Sequence, residues 1–279
     1  MNLKSKIGLG TVQFGLDYGI SNKSGKTPKK EVESILDFAL EEGIDTLDTA
    51  VAYGDAEKVL GSVGVDRFKI ISKYLPESES KLSIDDQLKN SLHNLIKKSL
   101  YGYLAHRPLD ILSNSSQWEQ LNKFKDQGIV KKIGFSLNKP EELESLLDAG
   151  FQPDLIQVPF NYFDRRFEQL IKQLYSEGCE IHSRSTFLQG LFFKDPNTLP
   201  THFEDVQVLI QDLKDSTESL AGSLLRFVLE KPFIDKVIIG VESRYQLKEN
   251  LKSLNNVFLL PDTKFEISDS ILIPSNWPK

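Results

Sequence analysis

Four polar side chains, Asp48, Tyr53, Lys73 and His106, stand at or just beyond the ends of three apolar runs. The runs are Ile44-Asp45-Thr46-Leu47-Asp48-Thr49-Ala50, Phe68-Lys69-Ile70-Ile71-Ser72-Lys73 and Leu100-Tyr101-Gly102-Tyr103-Leu104-Ala105-His106. Each reads as a buried strand that stops at an ionisable residue, the place where α/β barrels carry their chemistry. The chemistry on offer is proton transfer. A phenol, with a reference pKa of about 10, is a poor acid near neutrality, but an ammonium beside it favours the phenolate. A carboxylate keeps that ammonium charged and in place, and an imidazole can steer a carbonyl oxygen toward the phenol. Taken singly, Tyr53 reads as a surface aromatic and Lys73 as a solvated lysine or a Schiff-base nucleophile. His106 alone reads as a structural histidine and Asp48 as a helix cap. Only their combination argues for a reaction.

These residues need strands to hold them. Strand candidates run from Ile7 to Thr11, Ile44 to Ala50, Phe68 to Lys73, Tyr101 to His106, Lys132 to Ser136, Leu155 to Phe160, Cys179 to Ser185 and Val237 to Val241. Amphipathic stretches alternate with them, which implies a parallel sheet. Thr27-Pro28 predicts an N-cap and a first helical proline ahead of Val32, Ile35, Leu36, Ala39 and Leu40, with Gly43 as the stop. Ser83 with Asp86 caps the helix whose stripe is Leu88, Leu92, Leu95 and Ile96, and Pro140 opens one that places Leu143, Leu146 and Leu147 inward. A chain of 279 residues suits one (β/α)8 TIM barrel, a parallel eight-stranded barrel forming a single domain over residues 1–279, since that fold takes about 250 residues. Two segments exceed ordinary connections: a long loop at about 186–216 and a C-terminal tail from about 255. Long loops at a barrel's C-terminal face commonly close over a ligand.

A formal charge of −6 argues against a nucleic-acid partner, which calls for a basic surface. Nowhere is there an apolar run long enough for a membrane span, and the segment Met1 to Lys6 has no apolar stretch of the kind that opens a secretory signal, so a cytoplasmic protein is expected. The single cysteine, Cys179, reads as a buried structural thiol. His93, His182 and His202 are scattered, and no metal site is expected.

The words Ile7-Gly8-Leu9-Gly10-Thr11, Asp48-Thr49-Ala50-Val51-Ala52-Tyr53-Gly54, Ser72-Lys73, His106-Arg107-Pro108, Ile133-Gly134-Phe135-Ser136, Ile156-Gln157-Val158-Pro159-Phe160-Asn161 and Glu249-Asn250 occur in this order along the chain. As an ordered set they resemble the aldo-keto reductases. The resemblance implies reduction of an aldehyde or ketone, or oxidation of the corresponding alcohol, by hydride transfer with NADP(H) or NAD(H). Tyr53 would be the general acid and base, Lys73 paired with Asp48 would tune it, and His106 would orient the carbonyl or hydroxyl.

For the cofactor, the resemblance implies contacts along Thr11 and the later strands. Ser136 and Gln157 would hold the nicotinamide carboxamide, although Leu137 stands where many relatives carry asparagine. Arg184 aligns with a tyrosine that stacks on the nicotinamide in much of the family. A guanidinium plane can stack too and adds positive charge, while a salt bridge is an equal reading of Arg184. Phe187, Gln189 and Gly190 fall where the family's loop crosses the pyrophosphate, and Ser185 is a further candidate cofactor contact. After the eighth strand, Gly240, Glu242, Gln246, Glu249 and Asn250 would meet the adenosine. Glu242 and Gln246 replace basic residues expected around a 2′-phosphate, and an acidic side chain prefers a ribose hydroxyl. Arg244 is read equally as reaching that phosphate or as a surface residue, and tolerance of both NADH and NADPH is the expectation.

The substrate is expected to be a small carbonyl or alcohol, sugars or short hydroxy-aldehydes suiting the mixed polar and aromatic mouth, with Arg107, Asn161, Tyr162 and Arg165 as candidate contacts. Two other readings stay open on the sequence: a nucleotide-binding regulatory protein with little turnover, and a Schiff-base aldolase or lyase using Lys73.

Overall fold

In a computed structural model of the chain, residues 3–20, 22, 24–255 and 257–278 are described. Met1 and Asn2 of the N-terminal segment and Asn256 of the tail lie outside them. The strands are β1 (Ile7–Gly10), β2 (Thr46–Asp48), β3 (Lys69–Tyr74), β4 (Leu100–Ala105), β5 (Val130–Ser136), β6 (Leu155–Pro159), β7 (Glu180–Arg184) and β8 (Lys236–Gly240). They close in sequence order into one parallel barrel, β1 pairing with β8 as well as with β2. Every expected strand is present, shifted at its ends by a residue or two.

The major helices outside it are α1 (Lys29–Glu41), α2 (Ala56–Val63), α3 (Ile84–Leu95), α4 (Ser116–Asp126), α5 (Pro140–Asp148), α6 (Glu168–Ser176), α7 (Glu204–Ser216), α8 (Leu220–Leu229) and α9 (Arg244–Ser253). Helix α3 begins as expected, the Ser83 side chain accepting from the Asp86 N–H. Three expectations need correction. Helix α1 starts one residue late, with Pro28 as its N-cap, and the Thr27 hydroxyl is buried without a partner instead of capping it. Ile96 leaves the apolar stripe of α3: it is the C-cap, at φ 55°, and 72% exposed. The stretch 186–216 is a loop only in its first half, because Val206, Ile210 and Leu213 bury the face of a regular helix, α7.

The barrel's N-terminal end is closed by polar side chains. Glu180 accepts from Tyr101 Oη and Lys132 Nζ, both at 2.6 Å, and lies 2.7 Å from His182 Nε2. Asp45 pairs with Lys69 and Lys236, each at 2.9 Å. A short helical turn, Leu3–Lys6, sits below, with Lys6 Nζ donating to the carbonyls of Leu229 and Lys231. Buried Cys179, its thiol pushed up to about 12 by desolvation, lies just before β7 and is a structural residue as expected. Among the described residues no helix is long and apolar enough to cross a membrane, and no cluster of potential metal ligands occurs.

Candidate active site

Parallel register brings three strand ends together at the opposite face. Asp48, the last residue of β2, is level with Ile71 of β3, and Lys73 with Leu104 of β4. The chain after β2 folds back at once, Thr49 N–H donating to Ile71 and Val51 N–H to Lys73. This turn carries Tyr53, and Gly54 completes it at φ 61°. His106 follows β4, tied by its N–H to the Tyr74 carbonyl at 2.9 Å.

The four side chains meet. Lys73 Nζ donates to both Asp48 oxygens at 2.7 Å, to the Thr49 carbonyl at 3.0 Å and to Tyr53 Oη at 3.4 Å. Lys73 and Asp48 are almost wholly buried, 0% and 3% exposed. Burial pulls the Lys73 pKa down, but the adjacent Asp48 and Tyr53 outweigh it, so the net direction is upward and the ammonium is retained. The rings of Tyr53 and His106 stand edge to face, centroids 5.9 Å apart. His106 is neutral: desolvation, and then the charges of Lys73, Arg107 and Arg184, hold its pKa down to about 2. Its Nδ1 is buried without a partner. A phenol proton held beside a fixed cation and a neutral imidazole can be passed to an oxygen placed between the two rings.

Two glycines allow the phenol's turn to sit so low. A Cβ on Gly15, which follows β1, would fall 1.9 Å from the Tyr53 carbonyl oxygen, and one on Gly54 would fall 2.7 Å from that of Gly15. The backbones therefore touch where no other residue fits.

A cavity of about 370 Å³ opens above these groups, at the C-terminal ends of the strands. Of the residues singled out in the sequence, Thr11, Asp48, Tyr53, His106, Ser136, Arg184, Ser185, Phe187, Gln189, Gly190, Gly240, Glu242 and Gln246 line it. Lys73 and Gln157 lie beneath its wall. Gln157 Nε2 donates to Asp48 at 2.7 Å, which leaves its buried Oε1 as the acceptor without a partner. Glu249 and Asn250 are on α9, beyond the cavity wall. Three of the candidate substrate contacts are structural instead. Asn161 caps its own turn and pins the Ser185 carbonyl, Tyr162 packs among Phe163, Phe227 and Phe265, and Arg165 pairs with Glu168 and Asp262. Arg107 does reach the cavity.

Among the described residues Arg184 makes no salt bridge of the kind weighed for it. Its Nη2 donates to the Leu137 carbonyl at 2.8 Å and to Asn138 Oδ1 at 2.6 Å, and its Nη1 to the Ser185 hydroxyl at 3.2 Å. Asn138, one residue past Leu137, was not anticipated, nor were Gln13 and Tyr18, whereas Phe193 and the tail residues Ile273 to Ser275 belong to the long loop and the tail expected beside the substrate, and all of them line the cavity. The length of residues 11–28, too great for a simple connection, is the signal that points to Gln13 and Tyr18. Gln13 Oε1 is a second buried acceptor without a partner. The loop after β7 turns sharply through positive φ at Ser185, Leu188, Gln189 and Gly190, and Gln189 Nε2 reaches across to Tyr18 Oη.

A parallel eight-stranded barrel with Asp48, Tyr53, Lys73 and His106 gathered beneath one cavity is the arrangement of a class of nicotinamide-dependent carbonyl oxidoreductases. The chain belongs to the Aldo/keto reductase family, whose profile matches residues 6–273. It is 25% identical to the uncharacterized oxidoreductase YqkF of Bacillus subtilis, over 90% of this chain and 87% of that one. It is 26% identical to the aldo-keto reductase YhdN of the same organism, over 88% and 83%. The holo form of the aldo-keto reductase AKR11C1 from Bacillus halodurans shares the fold, with a TM-score of 0.71 at 21% identity, over 91% of this chain and 88% of that one. The protein is thus an oxidoreductase of a class that uses NADP(H) or NAD(H). The cavity suits such a cofactor: it is lined by glycines at the ends of β1 and β8 and flanked by two buried amide oxygens still to be paired.

Proposed function

We propose that this enzyme reduces a short, polar aldehyde or ketone, such as a sugar or hydroxy-aldehyde, with Tyr53 as the proton donor. The observation that carries the reading is Lys73 Nζ, locked on Asp48 at 2.7 Å and standing 3.4 Å from Tyr53 Oη. The bound nicotinamide supplies the hydride to the carbonyl carbon. Tyr53 gives its proton to the carbonyl oxygen, and the Lys73 ammonium stabilises the phenolate left behind. Neutral His106 lies beside that oxygen's place and directs it toward Tyr53. Ser136 and the unpaired Gln157 Oε1 are the groups to hold a carboxamide, and the turn at 185–190 is the part to meet phosphates. Arg107, Asn138 and Ser275 on the wall, beside Phe187, Phe193 and Ile273, favour a substrate that is polar yet partly apolar.

The geometry disfavours a Schiff base on Lys73, because the amine is 0% exposed and held by four contacts beneath the cavity. The test is Tyr53→Phe, assayed by nicotinamide absorbance on a panel of aldehydes and sugars. General-acid loss should lower kcat by about two to four orders of magnitude, while cofactor affinity by fluorescence titration stays at the wild-type value. Near-normal turnover by that variant would remove Tyr53 from the role. Tight cofactor binding by the wild type without turnover on a broad panel would instead favour a regulatory protein.

A further inference from the structure

The charges around the cavity are divided between its two ends. The cationic side chains on its wall are Arg107 and Arg184, and both act on His106, so they belong to the reacting end. On the wall formed by β8 and the start of α9, the charged side chain among the described residues is Glu242, and no described lysine or arginine lines that wall. Asp17 stands close enough to Glu242 that, after burial, its charge also pushes the Glu242 carboxyl upward.

Arg244, two residues after Glu242, is turned the other way. Its N–H donates to Glu31 at 2.6 Å, its guanidinium lies 3.7 Å from Glu41, and its plane sits 5.1 Å from the Phe38 ring centre. Those partners belong to α1, outside the cavity. Gln246 faces in, and its Oε1 accepts the Glu242 N–H at 2.7 Å. Its amide NH2 is therefore the end offered to a ligand. A carboxylate acceptor beside an amide donor matches the two hydroxyls of a ribose. A 2′-phosphate in the same place would set a dianion against a carboxylate with no cation among the described residues of that wall to neutralise it.

Barrels hold phosphates at the loops after their seventh and eighth strands. On that pattern a dinucleotide reacting beside Tyr53 would run its phosphates there and bring its adenosine ribose toward the junction of β8 and α9. We propose that Glu242, with Gln246, selects a dinucleotide bearing a free 2′-hydroxyl, NAD(H), against its 2′-phosphorylated counterpart. This rests on the placement of the reaction at Tyr53 and narrows the choice left open by the sequence.

The experiment is calorimetric titration of the purified protein with NADH, NADPH, ADP-ribose and 2′-phospho-ADP-ribose, repeated on Glu242→Gln and Glu242→Lys. The wild type should bind NADH at least about tenfold more tightly than NADPH, and the two ADP-ribose probes should repeat that order. Glu242→Gln should narrow the gap, and Glu242→Lys should reverse it. Equal or tighter NADPH binding by the wild type overturns the proposal, as does a ratio unchanged in both variants. Either result, with turnover intact, leaves the Tyr53 reaction standing. Failure of every nucleotide to bind would overturn both.

Discussion

Replacing Lys73 with methionine separates the two roles its position implies. The side chain is 0% exposed, and its removal leaves the Asp48 carboxylate, 3% exposed, with one side-chain donor, Gln157 Nε2 at 2.7 Å. Removing one partner of a buried ion pair costs about 3 to 5 kcal/mol, because the other charge stays behind without compensation. The loss for the reaction comes from a different term. A unit charge 3.4 Å from Tyr53 Oη stabilises a full phenolate by about 5 kcal/mol at an effective dielectric constant of about 20. If most of that charge develops in the transition state, kcat falls by about three orders of magnitude.

The double variant Asp48→Asn, Lys73→Met distinguishes these terms. It removes both charges and keeps similar volume, so its urea-denaturation stability should return to within about 2 kcal/mol of wild type. Its kcat should stay as low as that of the single variant, since the cation beside the phenol is still missing. Both measurements are direct: urea unfolding followed by circular dichroism, and nicotinamide absorbance under saturating substrate. A folded Lys73→Met protein with kcat within tenfold of wild type would refute the electrostatic argument. A double variant no more stable than the single one would refute the ion-pair argument.

Other consequences of the geometry are open to measurement. With its pKa held down to about 2, His106 stays neutral, so kcat/KM should show no imidazole limb between about pH 5 and 8; a limb in that range that disappears in His106→Gln would contradict this. Gly15→Ala should cut kcat at least about tenfold while the protein remains folded, because the new methyl must push the Tyr53 backbone out of place; unchanged kcat would show that the turn accommodates it freely. At the barrel floor, burial alone would raise the Glu180 and Asp45 carboxyls, but hydrogen bonds from His182, Lys132 and Tyr101 to the one, and from Lys69 and Lys236 to the other, hold both below the usual range. A depressed carboxyl contributes stability that is present above about pH 4 and lost as pH falls below it. Glu180→Gln should therefore be less stable at neutral pH and lose less on acidification, and parallel stability curves for variant and wild type would count against the network.

The strands were legible because a parallel barrel strand is buried on both faces and leaves a short apolar run that ends at a polar residue. Asp48, Lys73 and His106 were found in that way, at the ends of such runs. What failed was whatever depends on a choice between two local solutions of similar energy. Thr27 and Pro28 each suit an N-cap, and the Thr27 N–H being taken by the Gln13 carbonyl at 2.8 Å places the helix start one residue on. Ile96 has the spacing of a core residue, but the helix ends there with a left-handed turn that swings it outward.

The cavity's second layer was hidden for a different reason: its contacts join residues far apart in the chain. Gln157 reads as a ligand contact in a strand, yet half of its amide is committed to Asp48, 109 positions away. Arg184 reads as a ring-stacking group or half of an ion pair, and it is held instead by a carbonyl and an amide at the end of β5. Arg244 has the right type and position for a phosphate and is drawn off by α1. In each case the residue type was readable, but the direction of the side chain was set by a partner on another element. A buried or half-buried polar group takes whichever partner lies within hydrogen-bond reach, and in a barrel the adjacent strands and helices decide that reach. Recognition on this protein is therefore written less in the residues at each strand end than in which of them their neighbours leave unpaired.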